Sequence, residues 1–89
     1  MKRVRVAVRG RVQGVGFRDF TWRQAQRLGL RGWVRNCADG SVEAHVEGDA
    51  SAVDALLECL EDGPPLAAVT ALELREDAPE RGLDAFEIR

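Results

Sequence analysis

Eighty-nine residues with 45% apolar content and no low-complexity stretch speak for one small packed domain, and against a second domain or a disordered chain. From the start of the chain, Arg5 and Arg9 interrupt the valines at 4, 6 and 8, so no signal-type or membrane-spanning apolar run forms. The net charge of −2 conceals a polarity: residues 1–36 hold ten Lys/Arg and one acid, residues 37–89 three Arg and fourteen acids. A basic half alone invites a nucleic-acid reading, but that footprint requires clustering on one face after folding. Strands that interleave would set basic beside acidic and pair the charges, and pairing is the expectation. Cys37 and Cys59 lie far apart, and with a single histidine they offer no zinc site. Reduced thiols and a cytoplasmic location follow.

Residues 3–9 alternate Val4, Val6 and Val8 with Arg3, Arg5 and Arg9, which predicts a half-buried strand. The run Gly10-Arg11-Val12-Gln13-Gly14-Val15-Gly16-Phe17-Arg18 follows. From Phe17 the period lengthens: Phe17, Phe20, Thr21, Ala25 and Leu28 recur at helical spacing until Gly29 stops the helix. Residues 32–36 read as a second strand, Asp39-Gly40 as a hairpin turn, and residues 41–47 as the partner strand. Val42, Ala44 and Val46 are expected inward; Glu43, His45 and Glu47 are expected outward. Residues 50–62 form a second helix on the stripe Val53, Leu56, Leu57 and Leu60, and Gly63-Pro64-Pro65 ends it. Residues 69–74 make a fourth strand, and residues 86–89 an optional short one beyond a turn near Pro79 to Gly82.

The order β-α-β-β-α-β predicts a ferredoxin-like α+β sandwich, a four-stranded antiparallel sheet with both helices on one face and room for a short fifth strand. The first strand and its helix cross over to a non-adjacent strand, which puts residues 13–18 at one end of the sheet.

A glycine turn feeding a helix start leaves several backbone N–H groups aligned and unpaired, an anion site that needs no metal. Arg18, on the first helical turn, adds a planar, permanently charged fork. The run is not a Walker loop, because no Gly-Lys-Ser/Thr follows, and it is not a dinucleotide fingerprint, because Asp19 stands where a third glycine belongs. By itself it is better read as a tight turn bearing a surface arginine. It gains weight from a second segment, Gly32-Trp33-Val34-Arg35-Asn36 followed by Asp39-Gly40-Ser41-Val42-Glu43.

Together the two segments resemble the acylphosphatase family. Leu28-Gly29-Leu30, Gly63-Pro64-Pro65 and the ending Phe86-Glu87-Ile88-Arg89 fit as well, so the resemblance covers essentially the whole chain. It implies a hydrolase of small acyl phosphates that works without metal or cofactor. Backbone N–H groups of Gln13, Gly14, Val15, Gly16, Phe17 and Arg18, with the Arg18 guanidinium, would bind the phosphoryl group. Asn36 would orient the attacking water. The resemblance also implies a monomer with inorganic phosphate as product or inhibitor, and neither nucleic acid nor membrane as partner. The residue types agree with the chemistry. A carboxylate leaving group needs little general-acid help, so positioning and charge stabilisation suffice. Asparagine donates and accepts hydrogen bonds without carrying a charge that repels phosphoryl oxygens.

Cys37, directly after the asparagine, is expected to fill space or tune the Asn36 backbone; no neighbouring histidine or C-x5-R loop makes it a nucleophile. His45, between Glu43 and Glu47, reads as a solvated surface histidine. Trp22 and Trp33 are expected to pack, since the aromatic pattern of sheet-based RNA readers is absent. Cys59 reads as a half-buried small hydrophobe. The rival readings are a non-catalytic anion- or RNA-binding module of the same fold, and the acylphosphatase module of larger carbamoyl-phosphate-using maturation proteins. The chain's own start and end favour a stand-alone enzyme.

Overall fold

The computed structural model describes residues 1–75 and 83–89. The elements are β1 (Lys2–Arg11), α1 (Phe17–Arg27), β2 (Arg31–Asn36), β3 (Val42–Gly48), α2 (Ala50–Asp62), β4 (Ala68–Arg75) and β5 (Phe86–Ile88). β1 outruns its valine alternation because its pairing with β4 continues through a register shift at Arg9/Gly10, a bulge that carries the ladder on to Arg11. The predicted turn near Pro79 to Gly82 lies outside the described residues, apart from its surroundings at Leu83 and beyond.

The strands stand in the order β4-β1-β3-β2-β5. β1 pairs antiparallel with β3 and with β4, and β2 pairs antiparallel with β3. The four main strands form the expected antiparallel sheet, and the optional fifth, whose direction the sequence left open, runs parallel to β2, from Gly32↔Phe86 to Val34↔Ile88. β4 and β5 occupy opposite edges, so β5 joins the sheet as the outer neighbour of β2 rather than as a hairpin partner of β4. The direction of three residues cannot be read from their own pattern.

Both helices cover one face, α1 over β2 and β5, α2 over β1, β3 and β4. The core between them gathers Val4, Val6 and Val8 of β1 with Val34, Val42, Ala44 and Val46 of the central strands. Phe17 and Ala25 of α1 and Val53, Leu56 and Leu60 of α2 close it from above. Thr21, fully buried on α1, is satisfied because its Oγ1 donates back to the Phe17 carbonyl at 2.8 Å.

The other face of the sheet carries the charges, and they pair as expected. Arg3 and Arg31 approach Glu47 at 2.9 and 3.8 Å, Arg35 meets Glu43 at 2.7 Å, and Arg9 meets Glu73 at 2.6 Å and Asp39 at 3.2 Å. Each joins the basic first half of the chain to the acidic second half. The expectation of a solvated surface histidine at position 45 fails here. His45 and Glu47 lie on this face, yet they are only 1% and 2% exposed. The His45 ring stacks on Trp33, with centroids 5.8 Å apart and planes at 28°. Glu47 lies beneath the arginines it binds. A face without helices is therefore still covered, by long side chains that shield their shorter neighbours.

Candidate active site

The loop between β1 and α1 is pinned at both ends. Val12, 1% exposed, holds its start, and Phe17, 2% exposed, plugs the first turn of α1 into the core with its ring tilted against Phe20. Between these anchors the chain must turn sharply. Gly14 and Gly16 adopt φ of 74° and 80°, the left-handed region that costs an L-residue about 1–2 kcal/mol. Gly16 is also the N-cap of α1, and no side chain caps the helix. The N–H groups of the first turn are thus left to whatever enters from outside. Because Phe17 points inward, the next residue, Arg18, projects to solvent.

Asn36 reaches the same place from the sheet. It is the last residue of β2, two positions beyond the buried Val34 and paired with Val42, which sets it on the helix-covered side at the uncovered end of the strand. A cleft of about 240 Å³ results, walled by Gly14, Gly16, Arg18, Asp19, Asn36 and Ile88 among others. Arg18 and Asn36, eighteen positions apart in sequence, share it. Phe17 contributes to its wall, whereas Gln13 and Val15 do not: Val15 packs against the core, and the Gln13 amide turns toward the β2–β3 hairpin.

The charges around the cleft are arranged unevenly. Asp19 is held by Arg23 one turn further along α1, at 2.9 Å. Arg18 makes no contact with an Asp or Glu side chain among the described residues. Its Nη1 donates instead to the backbone oxygen of Arg89, at 3.3 Å. That oxygen is placed by β5, whose alignment is continued by the bond from Arg89 N to the Val34 carbonyl at 2.8 Å and supported by Trp22 Nε1 donating to the Phe86 oxygen at 3.0 Å. Sequence reasoning missed Ile88 and Arg89 as neighbours of the site. Only the parallel register of β5 brings them there.

The hairpin after Asn36 is braced separately. Asp39 Oδ1 accepts from Ser41 N and Oγ at 3.0 and 2.6 Å, while its Oδ2 accepts from Arg9. The two Ser41 bonds, with smaller help from Arg9, lower the Asp39 carboxyl to about 2. Cys37 is half-buried and takes part in the turn through its backbone, its N donating to the Ser41 oxygen at 2.8 Å.

A second hollow, of about 460 Å³, opens on the charged face over the short side chain of Ala7. Its rim mixes Arg5, Arg9 and Arg75 with Glu43 and Glu73, so it presents both signs of charge. Trp33 offers no bare platform for a base either, since His45 stacks on it and Arg35 and Arg89 lie 5.3 and 5.2 Å from its ring centre. Among the described residues no three His, Cys, Asp or Glu side chains converge as metal ligands.

Fold and cleft define an α+β domain in which a helix start and one arginine face an asparagine across a cleft. The acylphosphatase family model matches residues 4–88. An acylphosphatase of Rubrobacter xylanophilus is 54% identical over 99% of this chain and 80% of its own length. One of Thermococcus kodakarensis is 53% identical over 99% and 98%. Among solved structures, the acylphosphatase of Bacillus subtilis superposes with a TM-score of 0.95 at 39% identity, covering 100% of this chain and 99% of that one. The same fold recurs inside the HypF of T. kodakarensis, at TM-score 0.87 and 38% identity, over 100% of this chain but 12% of that protein. The chain belongs to the acylphosphatase family, and as a member it is a hydrolase that acts on acyl phosphate.

Proposed function

We propose that Arg18 and the loop amides of residues 13–18 bind the phosphoryl group of a small acyl phosphate, and that Asn36 orients the water that attacks it. The observation that carries this reading is the meeting of Arg18 and Asn36 in one cleft of about 240 Å³. The guanidinium fork and the first-turn N–H groups of α1 neutralise charge on the non-bridging oxygens. The Asn36 amide oxygen accepts a hydrogen bond from the water and keeps the water's lone pair aimed at phosphorus. The carboxylate leaves without protonation, so the cleft needs no acid. That suits walls whose one carboxylate, Asp19, is held by Arg23, and a histidine that lies buried on the far face.

The enzyme acts as a single-domain cytoplasmic monomer, with inorganic phosphate as product and competitive inhibitor and with no nucleic-acid, membrane, metal or cofactor partner. Supporting this are the two unpaired thiols, the relative matched over 98% of its own length, and charges that pair within the chain. No helix among the described residues is long and apolar enough to cross a membrane.

The deciding experiment is hydrolysis of benzoyl phosphate in excess EDTA by the wild type and by folded Asn36→Ala. Metal-independent turnover that falls by ~10²–10³ in the variant is the expected result. An Asn36→Ala enzyme of undiminished rate removes Asn36 from the mechanism. A wild type that phosphate protects against heat but that turns nothing over is a binding module.

A further inference from the structure

In the reading above Gln13 contributes only its backbone. Its side chain does something else. Nε2 donates to the backbone oxygens of Cys37 and Ser41, at 2.7 and 2.9 Å. Those two oxygens are the ones that close the β2–β3 hairpin: Cys37 N donates to the Ser41 oxygen at 2.8 Å, and Gly40 N to the Cys37 oxygen at 3.2 Å. The Cys37–Ser41 rung stands next to the Asn36↔Val42 pair. One amide therefore spans from the loop that carries Gly14 to Arg18 to the rung beside Asn36. Two carbonyl acceptors require two N–H donors on one atom, which the carboxamide supplies and a hydroxyl or an ionised carboxylate does not. Gln13 is half-buried, so water competes weakly for these bonds.

We infer that Gln13 is a positioning residue, a strut that sets the distance between the phosphoryl-binding loop and Asn36 and acts on turnover through Asn36. The inference rests on the roles proposed above for the loop and for Asn36. In-line attack needs the water held about 3–3.5 Å from phosphorus, and a displacement near 1 Å can cost ~10² in rate. Phosphate affinity depends on other features. The shape of the loop is fixed by Gly14, Gly16 and the buried anchors Val12 and Phe17, none of which needs the Gln13 amide.

The test measures kcat for benzoyl phosphate and the inhibition constant of inorganic phosphate in the wild type, Gln13→Ala, Asn36→Ala and the double variant. Gln13→Ala should lower kcat by roughly 10–10² while the phosphate constant stays within about twofold. In the Asn36→Ala background the same substitution should change kcat by no more than about twofold, because the group it positions is gone. Equal losses in both backgrounds, or a phosphate constant that weakens in step with kcat, overturn the strut. An Asn36→Ala enzyme as fast as the wild type overturns it too, and that single variant shows the fault to lie in the water-orienting role. Gln13→Glu gives a second reading. Ionised, it faces two carbonyls without a proton to offer; protonated, it supplies one. Its kcat relative to Gln13→Ala should rise as pH falls through the carboxyl range, and a flat ratio overturns the inference.

Discussion

Arginines serve this protein in two opposite ways. On the open face of the sheet, Arg3, Arg9, Arg31 and Arg35 each meet a carboxylate, and the acids come from the second half of the chain. At the end of the sheet, Arg18 meets the main-chain oxygen of Arg89 and no Asp or Glu side chain among the described residues, while the adjacent Asp19 is occupied by Arg23. The paired arginines have their charge cancelled and serve as cover for His45 and Glu47. The proposed reading gives the Arg18 charge to the phosphoryl group of the substrate. A strongly basic N-terminal half thus need not make a basic surface, since six of its ten cations meet a carboxylate among the described residues.

Substitutions on the two sides should separate cleanly. Arg18→Lys keeps the charge and loses the fork, and should lower kcat/KM for benzoyl phosphate by at least ~10² while the urea unfolding midpoint stays at the wild-type value. Near-normal turnover would show that any cation suffices there. Arg3→Met should behave in reverse. It leaves Glu47, 2% exposed, with only the more distant Arg31, and should cost about 1–3 kcal/mol in urea unfolding with kcat/KM unchanged. A stability equal to the wild type would mean that Arg31 alone compensates the buried carboxylate. The smallest effect belongs to Asp39. Its folded pKa is depressed to about 2 from an ordinary 3.8, so its contribution is complete above the ordinary value and is lost as pH falls toward 2. The melting temperature of the wild type should accordingly fall more than that of Asp39→Asn across this acid window. Parallel melting curves would assign the acid sensitivity to other carboxylates.

The order of elements was legible because each carries its period openly: Val4-Val6-Val8 at two, Val53-Leu56-Leu60 near 3.6, with glycines and prolines between them. Arg18 and Asn36 stood out for a different reason: the two segments that carry them together resemble the acylphosphatase family, whereas the glycine turn alone reads as a turn. What alternation shows is which side of a strand a residue takes, never how deeply that side is covered. His45 and Glu47 were placed on the correct side, but their burial stayed hidden, and His45 was read as solvated, because their cover comes from Trp33, Arg3 and Arg31, on other strands. β5 is too short to declare its direction, and with it Ile88 and Arg89 at the cleft stayed hidden. The Gln13 amide was invisible for a third reason: its partners are backbone oxygens, which leave no trace in residue type.

The sheet order has a consequence for how the protein is made. β1 has β3 and β4 as its neighbours, and β2 has β3 and β5. No two strands within the first 41 residues pair with each other, so a chain growing from its N-terminus has no sheet to form until Val42 onward has emerged. The cations also come first and wait for acids not yet synthesised. Translation thus separates in time the charges that the fold brings within 3 Å of one another, such as Arg3 and Glu47.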